Sequence, residues 1–177
     1  MASSITRRGH EIITKTRDWI EEQGYQVIYG DTDSVFVSLH TGRKTITQTL
    51  NNSQIQDIGR TLQNGLNEYW QTALKNEHNI QSQLEIEFET HFIKFLMPTI
   101  RGLEVGTKKR YAGLVKNKQG EQSIIYKGLE SVRTDWTELA KQFQRELYHR
   151  VFNNLPVKEY VLSMTEKTYA GEFDDLL

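Results

Sequence analysis

Two short apolar, β-prone runs flank one polar tip: Val27 and Ile28 precede Tyr29-Gly30-Asp31-Thr32-Asp33-Ser34, and Val35, Phe36 and Val37 follow it. Runs of this kind around Gly-Asp-Thr-Asp leave few options, and the pattern predicts an antiparallel hairpin over about 25–40. If the backbone between Asp31 and Asp33 is extended, their carboxylates share one face. Two hard oxygen donors suit magnesium, which takes one or two carboxylates and fills its remaining positions from phosphate and water. The same two aspartates can instead serve the turn, bonding nearby backbone N–H groups. An EF-hand loop opening at Asp31 is excluded, because its fifth, sixth and twelfth positions would be Val35, Phe36 and Gly42.

The hairpin sits between helices. Ile5, Ile12, Ile13, Trp19 and Ile20 recur at helical spacing and predict a helix over 3–23, with Ser3 or Ser4 as cap and Gly24 at its end. A polar loop over 41–52 leads to a second helix over about 53–77. Its stripe is Ile55, Ile58, Leu62, Leu66, Trp70, Ala73 and Leu74, and Ser53 with Gln56 forms a capping-box pattern. Trp70 is expected to pack in the core. From Leu84 the period becomes two, with Leu84, Ile86 and Phe88 alternating with Glu85, Glu87 and Glu89. This predicts a half-buried strand, with a bulge or bend near Phe92 and Ile93. The glutamates read as a solvated face, or one of them assists a metal at the aspartates.

A loop over 98–108 precedes a second predicted hairpin, Lys109 to Val115 and Ser123 to Lys127, turning around Asn117 to Gly120. Between residues 101 and 118 six cations face one anion, a net charge of +5 within a chain of net −1. A basic stretch enclosing Tyr111 can hold a phosphate backbone, and it can equally be an edge guarded by lysines. Beyond Arg133 the pattern is helical only. One helix starts at Thr134 or Asp135 and runs to about 152, and another covers about 157–170. The expected fold class is therefore α+β: an antiparallel sheet backed by two helices, then further helices. The 177 residues contain no cysteine, which excludes disulfides and thiolate metal sites, and no apolar run approaches membrane-span length.

At Tyr29 to Ser34 the chain resembles the family B DNA polymerases, in the third polymerase motif of the palm. Lys109-Arg110-Tyr111 resembles the family's Lys-x-Tyr motif, which grips the template–primer duplex. Lys127-Gly128-Leu129-Glu130 with Val132-Arg133-Thr134-Asp135 resembles the run leading from palm into thumb. These three motifs stand in the family's order, about 80 and 20 residues apart. Residues 2–10, residues 95–102 and Asp135-Trp136 resemble bacterial members in particular. The resemblance implies a partial palm over 1–133 and a partial thumb over 134–177. It implies Asp33 as main metal ligand with Asp31 beside it, serving magnesium or manganese in two-metal nucleotidyl transfer. With the basic stretch, it assigns Lys108, Lys109, Arg110, Tyr111, Lys127 and Arg133 to primer–template DNA, with a deoxynucleoside triphosphate as co-substrate. Glu89 resembles a family glutamate near the site.

The family's earlier aspartate motif, Asp-x-x-Ser-Leu-Tyr-Pro-Ser, and its nucleotide-gripping Lys-x-x-x-Asn-Ser-x-Tyr-Gly do not occur here. The expectation is thus a polymerase fragment, cut within the palm at Met1 and inactive alone. It would derive from a bacterial, cytoplasmic, nucleoid-associated repair enzyme, with no membrane contact and with self-association through an exposed sheet edge. The alternative is a non-catalytic palm–thumb remnant that binds DNA or a partner protein. A third reading, a metal-independent structural domain, makes the aspartates turn residues only.

Overall fold

The computed structural model describes residues 2–40, 50–99, 109–117 and 119–177, with the side chains of residues 2 and 3 excepted. The chain divides into two compact units, Met1–Glu89 and Thr90–Leu177. Both mix helices with small antiparallel sheets, as the α+β expectation requires. The described strands form one two-stranded and one three-stranded sheet.

The first unit starts with α1, Ala2–Glu22, so that Ser3 and Ser4 lie inside the helix and not before it. Gly24 follows with φ of 93° and turns the chain straight into β1, Gln26–Gly30, which pairs with β2, Val35–Ser38. The pairing matches Val27 with Val37 but Tyr29 with Phe36, so the register slips at Ile28, a bulge no sequence pattern announced. The long helix α2, Asn52–His78, is capped two residues earlier than expected, at Asn51 and not at Ser53. Asn51 accepts from the Gln54 N–H at 2.9 Å, and the Gln54 amide oxygen accepts from the Asn51 N–H at 2.9 Å. Asn is as good a cap as Ser, and its amide oxygen reaches the third helical residue equally well. The core of this unit joins Ile20 of α1 to Leu66 and Trp70 of α2, each no more than 3% exposed. Trp70 is core, as its position in the stripe predicts, and its indole Nε1 donates to Thr16 Oγ1 at 3.0 Å. Two glycines of α2 give room for aromatic rings: a Cβ at Gly65 would lie 2.6 Å from Trp19, and one at Gly59 would lie 2.4 Å from Phe88.

The strand predicted from Leu84 has a different form. Its burial alternates as expected, with Leu84, Ile86 and Phe88 half-buried and the three glutamates exposed, yet residues 84–89 join no sheet ladder among the described residues. Side chains of α2 take the place of a partner strand. Asn67 accepts from the Ile86 N–H at 2.8 Å and donates to the Ile86 carbonyl at 2.9 Å, while Gln63 accepts from the Phe88 N–H at 3.0 Å. Backbone polar groups need partners, and helix-borne amides satisfy them here.

In the second unit β3, Lys94–Leu96, pairs with β4, Tyr111–Lys116, which pairs with β5, Gln122–Lys127, both antiparallel. Helix α3, Glu138–Phe152, covers this sheet. Ala112, Leu114, Leu129, Tyr148 and Phe152 form the core, with Leu96, Ile124 and Tyr126 against it. The cap of α3 is Thr137, whose Oγ1 accepts from the Ala140 N–H at 3.3 Å. Thr134 and Asp135 precede it because a short 3-10 turn over Glu130–Val132 comes first and Arg133 captures Asp135. Lys94 Nζ donates to the Phe152 carbonyl at the C-terminus of α3, where a cation suits the helix dipole. Helix α4, Lys158–Tyr169, returns along α3 with Tyr160 stacked on Phe143, ring centroids 5.5 Å apart, and Arg150 over Tyr160. No described helix is long and apolar enough to cross a membrane.

Candidate active site

The tip of the first hairpin is residues 31–34, between β1 and β2. The Asp31 N–H donates to the Ser34 carbonyl at 2.8 Å and closes it. Asp31 is half-buried, and its Oδ1 accepts from the Thr32 N–H at 2.7 Å and the Thr32 hydroxyl at 3.2 Å. Asp33 is exposed. The two aspartates thus divide the roles that the sequence left open: one Asp31 oxygen serves the turn, and Asp33 faces solvent. Beneath them, Ile13 of α1 lies beside Gly30, where a Cβ would stand 3.5 Å from its methyl group. Helix α1 therefore braces the end of β1 that carries the tip.

The donor set fits a hard divalent cation of modest protein ligation. It offers two carboxylates, one of them exposed, and no softer ligand. Among the described residues no group of three or more His, Cys, Asp or Glu side chains gathers into a metal cluster. Glu85, Glu87 and Glu89 are exposed on the 84–89 segment, in agreement with a solvated face.

The second cluster lies at the base of the β4–β5 hairpin. Lys109 is exposed with φ of 63°, a left-handed conformation uncommon for a residue with a side chain. Gly128 opposes it at φ of 61°, and a Cβ there would lie 2.2 Å from the Lys109 carbonyl oxygen. Only glycine accommodates both the backbone conformation and that approach. Tyr111 pairs with Lys127 across the ladder. Its ring is half-buried against Phe95 and Phe92, at centroid distances of 5.3 and 6.1 Å. Phe92 can reach over β4 because Gly113 has no side chain; a Cβ there would be 2.1 Å from the ring.

The cations of this cluster differ in their engagement. Arg110 Nη1 donates to Glu130 Oε1 at 3.0 Å, and Arg133 forms a two-pronged pair with Asp135 at 2.9 and 2.6 Å. Lys127 is exposed, and Lys108 lies outside the described residues. Glu130 accepts from Gln144 Nε2 through its other oxygen. Burial alone would raise the Glu130 pKa. The hydrogen bonds from Gln144 and its own backbone N–H, with the charges of Arg110 and Arg133, reverse this and hold it below the ordinary glutamate range. Gln144 was not singled out by sequence reasoning. Its position in the polar part of an amphipathic helix gives no signal, since the contact is with a turn more than ten residues away.

The sequence model for DNA polymerase family B matches residues 1–174. Over 174 residues the chain is 51% identical to DNA polymerase II of Escherichia coli (strain K12), covering 98% of this chain and 21% of that protein. It is 30% identical over 171 residues to DNA polymerase 1 of Pyrococcus abyssi, 94% of this chain and 18% of the relative. With the DNA polymerase alpha catalytic subunit of Drosophila melanogaster it shares 26% identity over 163 residues, 90% of this chain and 9% of the relative. The chain thus spans about a fifth or less of the length of these polymerases.

Proposed function

The chain belongs to the family B DNA polymerases, and from that membership we propose that it is the part of such an enzyme that offers Asp31 and Asp33 to a two-metal nucleotidyl-transfer site and grips the primer–template duplex. Residues 1–133 correspond to palm and 134–177 to thumb. The observation that carries the reading is the hairpin tip itself: a closed four-residue turn that leaves Asp33 exposed at the end of two paired strands.

Magnesium, or manganese in its place, would stabilise the attacking and leaving oxygens of an in-line displacement when bound. Asp33 is the main ligand from this chain. Asp31 supports it, and its bonds from Thr32 hold the tip in shape. The turn keeps both carboxylates on a rigid element, so little ordering cost falls on cation binding. Lys109 and Lys127 supply charge to the phosphate backbone and Tyr111 an aromatic face to the duplex, with Lys108, Arg110 and Arg133 flanking them. A deoxynucleoside triphosphate is the co-substrate in the complete enzyme.

The chain alone is inactive in this reading, because the family's earlier aspartate motif, the source of the partner carboxylate, does not occur in its sequence. Among the described residues β1 and β2 pair only with each other, and self-association through a sheet edge is the accompanying expectation. The 51% identity to the E. coli enzyme supports a bacterial setting, and this reading takes the protein as cytoplasmic and nucleoid-associated, with a part in repair synthesis. The test is manganese titration of the chain with and without primer–template DNA, beside a primer-extension assay. Binding lost in Asp33→Asn, with no extension by either protein, is the expected result. Cation binding unaffected by Asp33→Asn would remove the metal role, and extension by this chain alone would overturn the account of its inactivity.

A further inference from the structure

Arg110 stands between Lys109 and Tyr111 in the stretch assigned to the duplex, yet its guanidinium faces a protein carboxylate. Glu130 takes it at 3.0 Å, with the Glu130 side chain only 16% exposed, and binds Gln144 of α3 through its other oxygen. Gln144 in turn accepts from the Ser131 N–H at 2.7 Å, and Arg145 of α3 donates to the Ser131 carbonyl at 2.9 Å. Leu129 and Ser131, on either side of Glu130, are 2% and 1% exposed. The turn carrying Glu130 is therefore fixed in the core and tied to α3 at Glu130 and Ser131. On the other side, the Lys109 carbonyl sits against Gly128, and Lys109 holds a positive φ that costs an ordinary residue of order 1 kcal/mol or more. A strained residue persists only where its surroundings over-determine it. The Gly128 contact and the Arg110 anchor next in sequence are among those surroundings.

We propose that Glu130, through Arg110, is the positioning residue of the primer–template grip: it sets the Lys109–Tyr111 segment on α3, and Arg110 acts by being held there and not by contacting phosphate. The inference rests on the assignment of Lys109 and Tyr111 to the duplex. It connects the palm-side grip to the first thumb-side helix through the Glu130–Gln144 contact. A shift of α3 would be passed to Lys109 and Tyr111 through one half-buried carboxylate.

The charge of Glu130 gives the test a sign. Near a polyanion, removing a carboxylate should tighten binding if electrostatics alone act, and it should also release Arg110 for phosphate. Positioning predicts the reverse. Primer–template affinity is measured by fluorescence anisotropy over a range of salt concentrations, for wild type, Glu130→Ala, Glu130→Gln, Arg110→Ala and the Arg110→Ala/Glu130→Ala double variant. Glu130→Ala should weaken binding about tenfold, the loss of one charge-assisted contact. Arg110→Ala should match it, the double variant should be no worse, and Glu130→Gln, which can still accept from Arg110, should recover part of the loss. Without DNA, the backbone amide resonances of Lys109 and Tyr111 should move in Glu130→Ala while those of α4 stay in place. Binding unchanged or tighter in Glu130→Ala, or unmoved Lys109 and Tyr111 amides, overturns the positioning role. A wild-type chain with no affinity for primer–template DNA overturns the DNA assignment instead, and the amide shifts still decide whether Glu130 sets the segment.

Discussion

Asp31 and Asp33 stand two residues apart and are held in different ways. The Asp31 carboxylate accepts two bonds from Thr32, and its own N–H closes the tip on Ser34. Asp33 is exposed. A shared turn role would make both substitutions to alanine destabilising, whereas a pure metal pair would gain from losing either of two like charges. The geometry predicts a split. In urea titrations without metal, Asp31→Ala should cost about 0.5–1.5 kcal/mol, the net worth of a lost hydrogen-bonded acceptor. Asp33→Ala should stay within about 0.5 kcal/mol of wild type, as exposed substitutions do. Equal losses in both variants would return the pair to the turn reading. This residue-level difference is one reason Asp33, and not Asp31, is the substitution chosen for the cation titration.

At the level of elements, the segment over 84–89 shows what periodicity can and cannot say. The alternation of Leu84, Ile86 and Phe88 with glutamates correctly marked an extended, half-buried stretch, because that pattern reports which side chains meet the core. It could not say where the backbone hydrogen bonds go, and Gln63 and Asn67 of α2 take them. The bulge at Ile28 and the cap at Asn51 escaped for a similar reason, since both are decided by backbone geometry that neighbouring apolar spacing does not encode. The helices, both hairpins and the core role of Trp70 were legible, each resting on a strong local signal. The candidate site was legible only as motifs; the Glu130–Gln144 contact depends on how α3 packs. Asn67→Leu tests the role of the helix amides. It removes both bonds to Ile86 while keeping the branched shape of the side chain, and the freed backbone groups lose their partner. Hydrogen exchange at Ile86 and Phe88 should rise by about tenfold or more, with the α2 amides unchanged, because the opening is local. A uniform loss of protection across residues 50–89 would mean instead that the segment is part of one cooperative core.

For the whole molecule, the division at Glu89 places Asp31 and Asp33 in one compact unit and Lys109, Tyr111, Lys127 and Glu130 in the other. Each unit has its own buried set: Ile20, Leu66 and Trp70 in the first, and Ala112, Leu114, Leu129, Tyr148 and Phe152 in the second. A core deletion confined to one set is expected to be felt mainly there. Leu129→Ala is the sharpest case, because Leu129 is almost fully buried and adjoins Glu130. Leu-to-Ala changes in a core cost about 2–5 kcal/mol, the lost transfer energy plus the cavity left behind. Exchange protection in β4, β5 and α3 should fall by that amount, while protection in α1 and α2 holds. The functional readouts should separate in the same way: primer–template affinity falls as the turn carrying Glu130 loosens, and manganese binding that depends on Asp33 is retained. Parallel loss of protection in both units would show that they unfold as one. The carboxylate tip and the duplex grip would then be a single cooperative device, and no longer two sites that core substitutions can perturb one at a time.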